Sequence, residues 1–446
     1  MMSDRVRVMF TSGQFERVST DDLMSLATER GSTPMQVGAV LMLDGSEGLE
    51  PGLVADALAD RVCGVPRLRQ RLVEVPWGCG RPVWVDDRDF AVGRHFSVIS
   101  CPTPGGESAV LGVAAEMLGA RLPRDRPLWA AKLVTDRGGG GAALILVFHH
   151  VLADGIGGLA VLAGLVDGAP EAHDHEFPVR MPSRAQLAVQ AANDRIHAAA
   201  RLPSELGRLA GATSQLRPVF GRGLARSSLN RPTGARRQFA TVRVDLSQIH
   251  GAARAHEATV NDVVLSAVAA ALHRLLRIRG ERVDEFVVSV PFSARRQASA
   301  GDLGNKSGVI PLHVSGVGDP GRRLESVAVA SRAAKQAQRG ASTALLGPFF
   351  RLLAAAGLFR WFIERQRLIH TFVSNVRGPE SRLSFLGHPI TSIIPLSSAS
   401  GNVTVSFAVL SYAGSLTITL IADPETCPDL SDLRDALDEE VRIFTA

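Results

Sequence analysis

Two adjacent histidines close an apolar run in Leu144-Ile145-Leu146-Val147-Phe148-His149-His150-Val151-Leu152-Ala153-Asp154-Gly155. Imidazole is the side chain whose ordinary pKa lies nearest neutrality, which suits it to take a proton from a hydroxyl and return it to a leaving group. The uncharged, mostly branched or aromatic residues before the pair have the composition of a buried strand. Asp154-Gly155 reads as a turn, and Ile156 to Val166 as a short apolar helix. Alternation along the strand sends His149 and His150 to opposite faces, so at most one of them easily faces a substrate. Three readings of the pair compete: a hydrogen-bonded core histidine, a proton carrier, and a zinc site completed by Asp154. The divergence disfavours metal, since helical zinc motifs place their histidines one turn apart. Cys63, Cys79, Cys101 and Cys427 form no C-x-x-C pair, and no metal site is expected.

The elements that must position this pair come from a chain long enough for two domains. Of its 446 residues 46% are hydrophobic and 21% charged, with mean hydropathy +0.12, so a large core is available and disorder is excluded. One Tyr and four Trp are too few for an aromatic nucleic-acid platform. Sparse, irregularly spaced cysteines point to a reducing compartment without a disulfide framework. Met1 to Thr20 is charged throughout and lacks the apolar stretch of a signal peptide. No 18-residue apolar run free of charge and turn residues occurs, so the expectation is a cytoplasmic protein, soluble or peripheral to the membrane. Between Phe177 and Gln238 eleven Arg face two acids, Asp194 and Glu205, while the rest of the chain is slightly acidic. Such a stripe fits anionic lipid, a phosphorylated ligand, or a solvated helical linker.

Along the chain, Ser19-Thr20-Asp21-Asp22 caps a helix that ends near Gly31. Met35 to Leu43 reads as a strand, Pro51 to Val62 as a helix, Glu107 to Leu118 as another, and Trp129 to Val134 as the strand before the histidines. Arg184 to Leu202 is helical within an Arg-, Ala-, Pro- and Gly-rich connection. The second half gives strands at Phe239 to Val244, Phe286 to Val290, Gly308 to Val314 and Thr371 to Val376. It also gives helices at Thr259 to Leu276 and Arg322 to Arg339, an amphipathic segment at Leu345 to Ile363, and a hairpin around Ala413-Gly414. Strands and helices mix without a strict βαβ repeat, which predicts α/β layers. The expected division is an N-terminal domain over 1–175, a linker over 176–238 and a C-terminal domain over 239–446. Neither a G-x-G-x-x-G helix opening, a P-loop nor a G-x-S-x-G elbow is present. That favours direct transfer over a covalent serine intermediate.

His149 to Gly155 matches the HHxxxDG motif of the CoA-dependent acyltransferase superfamily. Pro127-Leu128-Trp129, Asn261-Asp262 and Ser374-Asn375-Val376-Arg377-Gly378-Pro379 resemble the PLW, ND and NVxGP blocks of bacterial wax ester synthase/diacylglycerol acyltransferases. Pro34-Met35-Gln36-Val37-Gly38 is similar to the PMHVG block, with Gln36 where His is usual. Leu229 to Gly234, Pro291 to Arg295 and Gly304-Asn305 resemble the LNxPxG, PxSxR and GN blocks. The resemblance runs from about residue 17 to the C-terminus.

It implies two domains, each a mixed sheet with flanking helices, and an active-site channel at their interface. It also implies an O-acyltransferase moving a long-chain acyl group from acyl-CoA to diacylglycerol, a long-chain alcohol, or both. In that reading His150 is the general base, His149 supports the loop, and Asp154 braces it, with Arg295 a candidate partner. Asn261, near a helix start, is the candidate oxyanion donor. Gly155, Pro127, Leu128, Trp129, Asp262, Ser374 and Asn375 are expected along the channel. Acyl-CoA is a substrate and no cofactor is implied; the expected partners are a membrane or lipid-droplet surface and a second copy in a homodimer. Two alternatives are a condensation or polyketide-associated acyltransferase with a carrier-bound donor, and a non-catalytic lipid-binding relative.

Overall fold

Hydrophobic periodicity accounts for most of the elements that form. Helix α1 (Asp22–Glu29) and strand β1 (Gln36–Leu43) are followed by α2 (Pro51–Val62), β2 (Gln70–Val73), β3 (Val83–Asp86), β4 (Phe96–Ser100) and α3 (Gly106–Gly119). Then come β5 (Trp129–Thr135), β6 (Ala142–His149) and α4 (Gly155–Leu165). A helix over 184–197, α5, leads to β7 (Gln238–Asp245), α6 (Leu246–Ala255), α7 (Val260–Ile278), β8 (Glu285–Ser293), β9 (Ser307–Ser315) and α8 (Pro320–Gln338). The chain closes with α9 (Phe359–Ile363), β10 (Thr371–Arg377), β11 (Ser384–Phe385), β12 (His388–Leu396), β13 (Val405–Tyr412), β14 (Ser415–Ala422) and α10 (Leu430–Ile443). The structure, a computed structural model, describes residues 15–19, 22–29, 33–45, 49–137, 141–169, 177–179, 181–197, 199–200, 224–293, 307–338, 353, 357–399 and 401–445. Arg295, the Gly304-Asn305 block and most of the expected 345–363 segment lie outside the described residues.

The strands form two six-stranded sheets and a separate β2–β3 hairpin. One sheet runs β11-β12-β1-β6-β5-β4, the other β7-β14-β13-β10-β8-β9. Pairing is antiparallel except for β4 with β5 and for β10 with both of its neighbours, so each sheet is mixed. Strand β6 is buried along its whole length, between β1 and β5. Leu144, Leu146 and Phe148 face one apolar cluster while Ala143, Ile145 and Val147 face another. That is why the sequence shows a continuous apolar run here instead of alternation. Helix α7 is likewise core, entered through a capping box between Thr259 and Asp262.

Strands β11 and β12 belong to the second half by sequence yet extend the first sheet, with Leu396 opposite Gly38 on β1. The sequence division at residue 239 therefore separates the halves of the chain but not its sheets. Side chains lock the crossover. The Asp167 carboxylate accepts the N–H groups of Leu386 (2.9 Å) and Gly387 (2.8 Å). The Tyr412 hydroxyl donates to the Ile390 carbonyl at 3.0 Å and accepts from the Leu383 N–H at 2.8 Å. Buried backbone groups are satisfied where the chain changes sheets, which makes the crossing an ordered joint.

Candidate active site at the interface of the two sheets

The turn after β6 is held at three consecutive backbone positions. His149 donates its N–H to the Leu128 carbonyl (2.9 Å), His150 to the Met35 carbonyl (2.8 Å), and Val151 to Nδ1 of the His149 ring (2.9 Å). The His149 side chain is only 1% exposed, and its Nε2 lies 3.3 Å from Glu29 Oε2 on α1. Glu29 also receives the Arg124 guanidinium. Burial by itself would raise the Glu29 carboxyl, but hydrogen bonding and charge from His149 and Arg124 outweigh it and hold it at about 2. Glu29 is therefore ionised at neutral pH.

His150 turns the other way, half-buried, into a cavity of about 100 Å³ between the two sheets. Its walls come from β1 (Val37, Gly38), the start of α4 (Asp154, Gly155, Gly158), β10 (Ser374, Val376), the crossover strand β12 and β13. Gly155 belongs where α4 meets β10, since a Cβ there would stand 2.9 Å from a Val376 methyl. Asp154 is buried and caps α4, its Oδ1 accepting the Gly157 N–H at 2.9 Å. Asp154→Ala should destabilise the fold by about 1–2 kcal/mol, as lost N-caps do. Urea unfolding monitored by circular dichroism reads this out, and a variant as stable as the parent would remove the brace role.

Asn261 and Asn375 are brought together, but away from His150. The Asn375 Nδ2 donates to Asn261 Oδ1 at 3.2 Å, and both line a second cavity of about 420 Å³ in the C-terminal half. Alternation along β10 explains the separation, because Ser374 and Asn375 point to opposite faces. The expected meeting of Asn261 with His150 in one cavity is thus not what the structure shows.

Other expected channel residues prove to be supports. Trp129 is 3% exposed, donates from its indole nitrogen to the Leu68 carbonyl (2.8 Å), and stacks on His95 with centroids 4.5 Å apart. Pro127 and Leu128 are buried beside it, and the Leu128 carbonyl holds the His149 N–H. None of the three lines either cavity. Asp262 lines neither, its Oδ2 being bound by the Thr259 N–H and hydroxyl. Apolar and aromatic residues at these positions are as compatible with a core as with a channel, so the sequence could not separate the two.

Among the described residues, no group of three or more His, Cys, Asp or Glu is placed to hold a metal ion. The family model of the wax ester synthase/diacylglycerol acyltransferase catalytic domain matches residues 18–264, and that of the WS/DGAT C-terminal domain matches residues 303–444. The chain belongs to this family. As a wax ester synthase/diacylglycerol acyltransferase family member it is an acyltransferase. A Mycobacterium tuberculosis relative named "Probable diacylglycerol O-acyltransferase tgs1" is 29% identical over 429 residues, covering 92% of this chain and 91% of that protein. The wax ester synthase/diacylglycerol acyltransferase of Marinobacter aquaeolei has a similar fold, with TM-score 0.71 and 24% identity over 96% of this chain and 98% of that one. The starter condensation domain of rhizomide synthetase, at TM-score 0.63 and 17% identity, covers 97% of this chain and 93% of that one and shares the fold alone. Within the family pattern, Gln36 replaces the usual His opposite His149. Its amide donates to the Leu118 and Ala120 carbonyls at the end of α3. Glu29 is the site residue the sequence did not flag, because a single acid in a short helix carries no motif.

Proposed function

We propose that the enzyme transfers a long-chain acyl group from acyl-CoA to the hydroxyl of diacylglycerol, a long-chain alcohol, or both, with His150 as general base. The observation that carries this reading is the placing of His150, on a backbone-clamped turn, in an interdomain cavity walled mainly by apolar residues. His150 removes the acceptor's hydroxyl proton as its oxygen bonds to the thioester carbonyl carbon. The tetrahedral intermediate collapses with cleavage of the C–S bond, and the same proton passes from His150 to the CoA thiolate. Negative charge on the intermediate's oxygen needs donors. With Asn261 in the other cavity, the Ser374 hydroxyl and the positive end of α4 are the groups that support this role. Acyl-CoA enters as a substrate, and this chemistry uses no cofactor.

A thiol-release assay with palmitoyl-CoA against dipalmitin and hexadecanol in parallel tests the reading. Release of free CoA that depends on either acceptor is expected, and the ratio of the two rates assigns the preference. Turnover only with carrier-bound donors would replace this reading by the condensation alternative. Binding to lipid without any CoA release would replace it by the non-catalytic one.

Peripheral membrane association is part of the same proposal. Among the described residues no single helix is long and apolar enough to cross a bilayer. Trp77, in the turn between β2 and β3, is fully exposed, and Arg195 of α5 donates to the neighbouring Gly78 carbonyl at 3.0 Å. Val189 and Ile196, seven residues apart on one face of α5, are also exposed. An aromatic tip beside an apolar stripe and arginines has the chemistry of an interfacial anchor on anionic lipid. Co-sedimentation with phosphatidylglycerol vesicles should fall in Trp77→Ala, and unchanged sedimentation would remove this face from the proposal.

A further inference from the structure

The Glu29 carboxylate is a buried charge that neither the motif nor the proposed chemistry uses. Its side chain is 5% exposed, whereas its partner Arg124 is 48% exposed. Pairing with a half-exposed arginine does not by itself call for a carboxylate so far inside, since the same pair at the surface would avoid the desolvation. What the depth does achieve is contact with His149.

Hydrogen positions around that ring follow from its neighbours. Nδ1 accepts the Val151 N–H at 2.9 Å, so Nδ1 carries no hydrogen. The ring proton is then on Nε2, which faces Glu29 Oε2 at 3.3 Å. In the other tautomer, an Nδ1–H would oppose the Val151 N–H, leaving two buried donors head to head and an Nε2 lone pair directed at a carboxylate. A carboxylate accepts and never donates when ionised, so it selects the first arrangement. Val151 and His149 flank His150, and their bond closes the turn across it. Leu152 adds a second tie, donating its N–H to the His149 carbonyl at 2.9 Å.

We propose that Glu29 is a positioning residue of the active site: it fixes His149 as the Nε2–H tautomer, and His149 thereby clamps the turn that presents His150. The proposal rests on His150 as the base. Glu29 touches no substrate, and its effect reaches the reaction only through the direction in which the His150 imidazole points.

The test is a double-variant cycle read as steady-state thiol release, below the melting temperature of every variant. Glu29→Ala should lower kcat by about tenfold to a hundredfold, the scale of small misplacements of a reacting group. KM for acyl-CoA and for the acceptor should stay the same. Glu29→Gln, which keeps an oxygen for the Nε2–H, should recover most of kcat. Introduced into His149→Ala, Glu29→Ala should cost nothing further, because the two residues act as one chain. A wild-type kcat in Glu29→Ala, or losses that multiply in the double variant, would overturn the proposal. A second measurement needs no variant to fold: the imidazole ¹⁵N shifts of His149 in the unmodified enzyme should show hydrogen on Nε2, and hydrogen on Nδ1 would overturn it. If His150→Ala retained full activity, the reading of the base would fail instead, and the tautomer result distinguishes the two failures.

Discussion

His150→Ala should lose acyl transfer by on the order of 10²-fold or more, the contribution of a positioned general base, while folding as the parent does. Both halves of that expectation have a structural cause. The imidazole is half-buried and borders the cavity, so its removal takes away the proton acceptor that lines the space. The backbone of the turn does not depend on the ring, because the His150 N–H is held by the Met35 carbonyl and its neighbours are held separately. Thiol release with palmitoyl-CoA measures the first half, and thermal unfolding measures the second. Transfer at the parent rate would mean that another group accepts the proton. A large drop in melting temperature would show the ring to be a packing element.

Gly38→Ala should be the most damaging single methyl in the molecule. A Cβ at this position would stand 2.0 Å from the Leu146 carbonyl oxygen and 3.0 Å from its carbon, on the strand that carries the histidines. Those atoms are backbone, so no rotamer change relieves the clash and β1 must move away from β6. Overpacked cores lose about 1–3 kcal/mol where side chains can adjust; here the loss should reach the top of that range or pass it. Measured against a total stability of roughly 5–15 kcal/mol, that is a large fraction. Activity should fall with stability, since β1 leads out of the Met35 carbonyl that holds His150. Gly52→Ala in α2 is the control. Nothing lies within 4 Å of a Cβ there, and its denaturation midpoint should be unchanged or slightly raised. Equal midpoints for Gly38→Ala and the parent would show that the two strands stand further apart than this.

The two largest effects fall on residues the sequence already singles out, and each is visible for a definable reason. The histidines end an uninterrupted apolar run, and a strand buried on both faces between two partners produces that pattern. Alternation then separates His149 from His150 without any knowledge of the fold. Asp154 reads as a cap because it precedes a glycine and an apolar helix, and that is the bond it makes to Gly157. Thr259 and Asp262 likewise form a local capping box. Such signals survive in one sequence because the interacting groups are three residues apart or fewer.

Where a residue ends up across the molecule is a different matter. Trp129 and Leu128 have the same apolar character whether they wall a channel or brace a strand, and the stacking on His95 and the bond to Leu68 decide for the brace. Asn261 and Ser374 both lie in family-like blocks, yet the single-residue step from Ser374 to Asn375 places the asparagine pair on the far side of β10. The passage of β12 into the first sheet, and the walls it gives the His150 cavity, leave no mark in local periodicity because an antiparallel strand reads alike in either sheet. Glu29 is the plainest case. By sequence it is an acid at the end of a short helix, and only tertiary packing brings it 120 residues along the chain to His149. The sequence by itself determined the catalytic candidates, their opposite faces and the family. The tertiary structure decided which of the other blocks meet His150, because burial and contact between distant segments depend on sheet order and strand face, which no short-range pattern encodes.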